Sequence, residues 1–148
     1  MSAATAAIPI IYRGEGLQVA MGPQKGSTTL YPGTLCMYDS SGYVTTAADT
    51  ASCTIAGVVV GDTNGTWGAN AVNGGSDGAS KVMIAWGAVF LFAQSGLTIA
   101  GVIAEVTDNQ TVSNTSTNHV KVGELIQIET FAGLTSAAWL AIRKAKVA

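Results

Sequence analysis

Lys81-Val82-Met83-Ile84-Ala85-Trp86-Gly87-Ala88-Val89-Phe90-Leu91-Phe92 is the stretch whose reading decides the fold. In an extended chain successive side chains point to opposite faces. Val82, Ile84, Trp86, Ala88, Phe90 and Phe92 then share one face, and Met83, Ala85, Val89 and Leu91 the other. Both faces are apolar, so the stretch reads as the longest strand of a sheet, either central or packed through one face on another subunit.

The flanking sequence repeats this theme in shorter pieces. Ile55 to Val60 is a continuous apolar run, read as a strand buried on both faces. Thr34 to Tyr38 reads as a strand, Asp39-Ser40-Ser41-Gly42 as a turn, and Tyr43 to Thr46 as the return. Ile8 to Tyr12, with Pro9 favouring an edge, and Leu17 to Met21 are further strands. So is Ile99 to Val106. His119 to Glu129 alternates, with Val120, Val122, Ile126 and Ile128 on one face; Glu124 beside Gly123 interrupts it and marks a bulge. Ala138 to Arg143 closes the chain with Leu140 and Ile142 inward, which sends Trp139 outward. No segment sustains a helical period. The expectation is one all-β domain, a β-sandwich or β-barrel of about eight to ten short strands, over residues 8–148. Residues 1–7 are small and featureless and read as a flexible N-terminal arm.

Composition narrows the function classes. The 148 residues are 48% hydrophobic and only 11% charged, against roughly 25% charged in ordinary soluble domains. So few charges suit a surface largely covered by other chains, or else a monomer coated with threonine. The net charge of −2 gives no footprint for nucleic acid. Arg143, Lys144 and Lys146 cluster near the C-terminus, as a solvated tail or as a contact for an acidic partner surface. Met1 to Ala7 lacks a basic region and a long apolar run, so no signal peptide is expected. Val82 to Ala104 is uncharged, but Gly87, Gln94, Ser95, Gly96 and Gly101 interrupt it, and no membrane span is expected. Cys36 and Cys53 read as thiols rather than a disulfide.

Catalytic inventory is thin. His119 is the single histidine, read as an exposed strand residue with no nucleophile motif beside it. The nine carboxylates are spread singly, most of them in turns. Asp62-Thr63-Asn64-Gly65 begins like a calcium loop but lacks the later acidic ligands. Gly74 to Lys81 has glycines and a lysine without phosphate-loop spacing. No catalytic residue, metal or cofactor is expected. The long stretch from Gly61 to Ser80 carries Trp67, which either lids its own core or anchors a neighbouring subunit.

Taken in order, several of these motifs resemble the small β-rich capsid decoration (cement) proteins of tailed bacteriophages. The hairpin from Pro32 to Val44 looks like their opening strand, turn and strand. Ile55 to Gly61 is similar to the apolar strand that follows, and Val82 to Phe90 to their central strand. Val106 to Val112 and Val120 to Ile126 resemble a closing hairpin, with a last strand near Trp139. The resemblance implies a non-enzymatic virion protein, made in the host cytoplasm, on the capsid exterior. It would bind the major capsid protein, bridge its subunits and stabilise the head, as a homo-oligomer, a trimer rather than a dimer. The candidate capsid or subunit contacts are Ser2, Ala3, Ala4 and Thr5 of the arm, Ile8, Trp67, Trp139, Arg143 and Lys144. A phage tail or baseplate β-module and a sugar- or host-binding β-sandwich are the alternatives.

Overall fold

The computed structural model describes residues 3–68, 70–131 and 134–143. Seven strands precede the deciding stretch: β1 (Tyr12–Arg13), β2 (Gln18–Pro23), β3 (Thr29–Leu30), β4 (Leu35–Tyr38), β5 (Val44–Thr46), β6 (Thr54–Gly61) and β7 (Val72–Asn73). The stretch itself forms β8 (Lys81–Trp86) and β9 (Val89–Ser95). Then come β10 (Ile103–Val106), β11 (Thr111–Ser113), β12 (Lys121–Phe131) and β13 (Leu134–Ala141). The all-β expectation holds. The strands outnumber those expected because several, such as β1, β3 and β7, are only two residues long.

Two sheets divide the chain. The first runs β1-β9-β11-β10-β12-β13 and closes on itself because β13 also pairs with β9, giving a five-stranded barrel. Short β1 shares one edge of β9 with β11. The second sheet is β2-β8-β6-β4-β5. Its outer strands meet again at one point, where Gln24 bridges Val44 and the Lys25 amide donates to the Val44 carbonyl at 2.8 Å. The β3–β7 ribbon stands apart from both sheets.

Alternation along β4, β6 and β8 explains how the sheets are joined. Leu35, Met37, Ile55, Val58, Val60 and Ala85 face the large core, where they meet Phe90, Phe92, Val122, Leu125, Leu140 and Ile142 from the barrel. Cys36, Ala56, Val59, Val82 and Ile84 face the other way, into a smaller core completed by Leu30, Val44 and Val72. β6 is therefore buried on both faces, as its sequence suggested. Its pleat is reset by a bulge: Cys36 pairs with Gly57, but Met37 pairs with Ile55. Gly57 has φ of +150°, and a Cβ there would lie 2.3 Å from the Ala85 carbonyl oxygen, so only glycine fits.

The single long strand expected from residue 81 to 92 is corrected to two. Gly87 turns the chain with φ of +90°; a Cβ would meet the Gly16 oxygen at 2.2 Å, and its amide donates to the Ile142 carbonyl. What looked like one face in sequence is shared between two cores, Val82 and Ile84 in the small one, Phe90 and Phe92 in the large one. β12 needs a similar correction. Val120, Val122 and Leu125 are buried while Ile126 is exposed. The phase changes once near Gly123, as expected, and again where the β12–β13 register shifts between Leu125 and Gln127.

The expected strand from Ile8 to Tyr12 shrinks to β1, with Ile8 donating to Pro32 O at 2.9 Å and Ile11 accepting from the Leu91 amide at 3.0 Å. The strand expected from Ile99 starts only at Ile103. Within the arm, Ala4 is buried. Its amide donates to Asn109 Oδ1 at 2.8 Å, and its carbonyl accepts from Asn109 Nδ2 at 3.2 Å. Cys36 and Cys53 are both free thiols, and burial pushes both thiol pKa values up.

Candidate interaction surface

Trp67 owes its position to Asp62, the residue following β6. The Asp62 carboxylate accepts from the amides of Asn64 at 3.0 Å and Thr66 at 2.9 Å, folding the next residues into a tight turn. The Thr66 amide, then the Asn70 and Asn64 bonds, hold the Asp62 carboxyl below its ordinary range against a smaller opposing effect of desolvation. The chain then returns to β6, with Trp67 bridging Gly61 and the Gly68 amide donating to Val60 O at 2.7 Å. The turn fixes the backbone of Trp67, and the residue is 44% exposed.

Apolar side chains from neighbouring strands lie around it. The Tyr12 ring sits 6.4 Å from Trp67 and 5.9 Å from buried Phe90, which ties the pair to the barrel core. Gly61, the bridging partner of Trp67, lies against the Met83 methyl group, and Met83 pairs with Met21 across the sheet. Val19 and Met21, one alternation apart on β2, are both exposed, as is Tyr12. A second exposed apolar surface comes from other strands. The Gly101 amide donates to Leu125 O, and the Leu125 amide to Val102 O, which sets Val102 and Ile103 beside Ile126. Ile99, the most exposed of this group at 68%, is in the preceding turn. Soluble domains seldom leave large side chains grouped on the outside unless the group binds something.

The sequence-expected contacts do not converge on one place. Trp67 is at the centre of the first surface. Ala3 and Thr5 are exposed on either side of clamped Ala4. Ile8 is half-buried and lines a cavity of about 200 Å³ with Pro9, Ile11 and Leu91. Trp139 does leave the large core, as its phase requires, but Ile11, Val89 and Leu91 cover it and only 6% stays exposed. The Arg13 guanidinium stacks 4.3 Å above its ring, and its Nε1 donates to Glu129 Oε1. Arg143 is exposed at the end of the barrel. Ser2 and Lys144 lie outside the described residues. Val19, Met21, Ile99 and Ile103 lie in apolar runs that look like core in the sequence; Val19 and Met21 fall on the edge strand β2, Ile99 in a turn and Ile103 on a barrel strand with its side chain outward.

Glu105 was read as one more scattered acid, yet it is buried and saturated. It accepts from the Ser116 amide at 2.7 Å, the Ser116 hydroxyl, His119 Nδ1 at 3.0 Å and the Lys121 ammonium. Desolvation works to raise its pKa, but the Lys121, Ser116 and His119 bonds together prevail and hold it at about 2. This arrangement fixes the loop that carries Ser116 and His119. Among the described residues no group of three His, Cys, Asp or Glu side chains is placed to hold a metal.

Comparison with known proteins returns no match: no family model, curated protein or solved structure is significantly similar to this chain.

Proposed function

We propose that this protein is a non-enzymatic structural component of a phage head, binding the outer surface of the capsid and bridging neighbouring major capsid subunits. One observation carries the reading. A domain with 11% charged residues displays two exposed apolar surfaces, built from separate strands, around Trp67 and around Ile103. A bridging protein needs two such surfaces, one for each neighbour it joins. Aromatic side chains lose little freedom when covered and flexible methionines mould to a partner's shape, which makes both effective in contacts. Repetition over a shell lets modest individual contacts add up. The order of β-motifs that resembles cement proteins agrees with this role. Three-fold lattice positions favour a trimer over a dimer.

The test is to mix purified protein with undecorated, expanded capsids and image them by cryo-electron microscopy. Stoichiometric density at lattice symmetry axes is expected, and Trp67→Ala should weaken binding by about tenfold or more. Deleting residues 1–7 should also lower occupancy while the β-sheet spectrum of the free protein persists. Bare shells would sink the reading. The paired Tyr12 and Trp67 rings would then favour a sugar- or host-binding module, checked by a glycan-induced change in Trp fluorescence.

A further inference from the structure

A cavity of about 380 Å³ opens between the start of β6 and the start of β12. His119, Lys121 and Arg143 line it, with Ser52, Thr54 and Asn118 as neutral polar neighbours. Among the described residues no carboxylate lines it. Of the acids nearby, Glu124 lines an adjoining cavity with Arg143 and has no ion pair among the described residues, while the other three are committed. Glu105 is saturated by Ser116, His119 and Lys121. Asp49 accepts from the Thr117 amide at 2.9 Å and the Asn118 amide at 2.8 Å. Asp39, felt by the Cys53 thiol, faces Lys25 at 3.6 Å.

The cations are not committed to the same degree. Arg143 makes no ion pair among the described residues, although the buried Ile142 before it anchors its backbone to Ala88. Lys121 gives Glu105 only part of its donor capacity, and 61% of its side chain is exposed. His119 is held through Nδ1, which leaves Nε2 without a described partner; in the protonated ring Nε2 is a second donor, free for an anion. Its backbone is in the left-handed region at φ of +54°, uncommon for a residue with a side chain. Strain of this kind is kept where the surroundings hold a side chain in a required place. The Glu105 bond aims the imidazole, and the 114–119 loop is pinned on both sides by Glu105 and Asp49.

We propose that this cavity is an oxyanion-binding site, in which a carboxylate or phosphate group is held by the Arg143 guanidinium, the Lys121 ammonium and the His119 ring. The site does not depend on the capsid reading. Planar guanidinium groups bind either oxyanion through paired donors, so the source is left to the experiment.

His119 is the only histidine in the chain, so its ring gives one set of imidazole resonances. The full chain is titrated at pH 7 and constant ionic strength with inorganic phosphate, with the peptide Ac-Gly-Glu-Gly-NH2 and with its Gln counterpart. The expected result is a saturable shift of the His119 ring signals with phosphate, the Glu peptide or both, and none with the Gln peptide. Saturation by phosphate alone assigns a free ion; saturation by the peptide alone assigns a protein carboxylate. Arg143→Gln, an exposed position whose fold is checked by circular dichroism, should weaken binding about tenfold, the loss of one charge-assisted hydrogen bond. Non-saturating shifts with both anions, or saturation unaffected by Arg143→Gln, would overturn the proposal.

Discussion

The two sheets close in different ways. In the barrel, β13 pairs with β9 over five successive residue pairs, from Ala137 with Ala93 to Ala141 with Val89. In the second sheet the ends meet only at Gln24 and Val44. Gln24 is fully buried there, and its Nε2 donates to Val72 O at 2.8 Å and Thr28 O at 3.2 Å. One closure is a ladder of backbone bonds over a large apolar core. The other is one backbone bridge to β5 beside a single polar side chain that ties the end of β2 to the β3–β7 ribbon, over a smaller core. A ladder opens only when many bonds break together; a one-residue clasp opens locally.

Phe90→Ala strikes the ladder-closed side and should have the largest effect. Phe90 is fully buried on β9, and losing such a ring costs about 3–5 kcal/mol. Chemical denaturation should show a large fall in midpoint. Gln24→Ala strikes the clasp and strands the Val72 carbonyl, at about 1–3 kcal/mol. Hydrogen exchange should sharpen the contrast: amides of β2, β3 and β7 accelerate in this variant while those of β9 and β13 stay protected.

Acid should act on the barrel side through Glu105. Its carboxyl sits at about 2 in the folded protein against an ordinary value of 4.5. Its stabilising contribution is therefore complete above about pH 4.5 and is lost as pH falls toward about 2. Glu105→Gln should flatten the decline of unfolding free energy over that window, with Asp49, Asp62 and Asp77 contributing to the remaining slope. Equal acid slopes for both proteins would refute this role. Smallest of all, Trp67→Ala should change stability by about 1 kcal/mol or less, because the residue is 44% exposed and lies outside both closures. A thermal melt checks this, and a near-neutral result is what makes the variant a clean probe of binding.

Period-two patterning carried much of this architecture into the sequence. The hairpin from Leu35 to Thr46 was legible in full because Asp39 marks its turn; the carboxylate accepts from the Ser41 and Tyr43 amides. The two-faced burial of β6 was legible from its unbroken apolar run. The break at Gly87 was not, since a glycine among apolar residues reads equally as a close approach within one strand. Nor was the cover over Trp139, which depends on Ile11 and Arg13 arriving from more than a hundred residues away. The cluster around Glu105 stayed hidden for a related reason. Its partners at 116, 119 and 121 are joined to it by a return of the chain, not by a motif. Exposure of Val19 and Met21 follows from β2 being a sheet edge, a property of topology alone.

The central placement of β6 has a mechanical consequence. Val58 and Val60 grip one core while Ala56 and Val59 grip the other, and β6 is hydrogen-bonded to β4 on one side and β8 on the other. A tug on the Trp67 turn, which begins where β6 ends, is delivered along this strand in shear. Shear loads many bonds and two packed faces at once rather than peeling them one by one. The molecule should yield to force abruptly and as a whole, with the turn and both cores failing together.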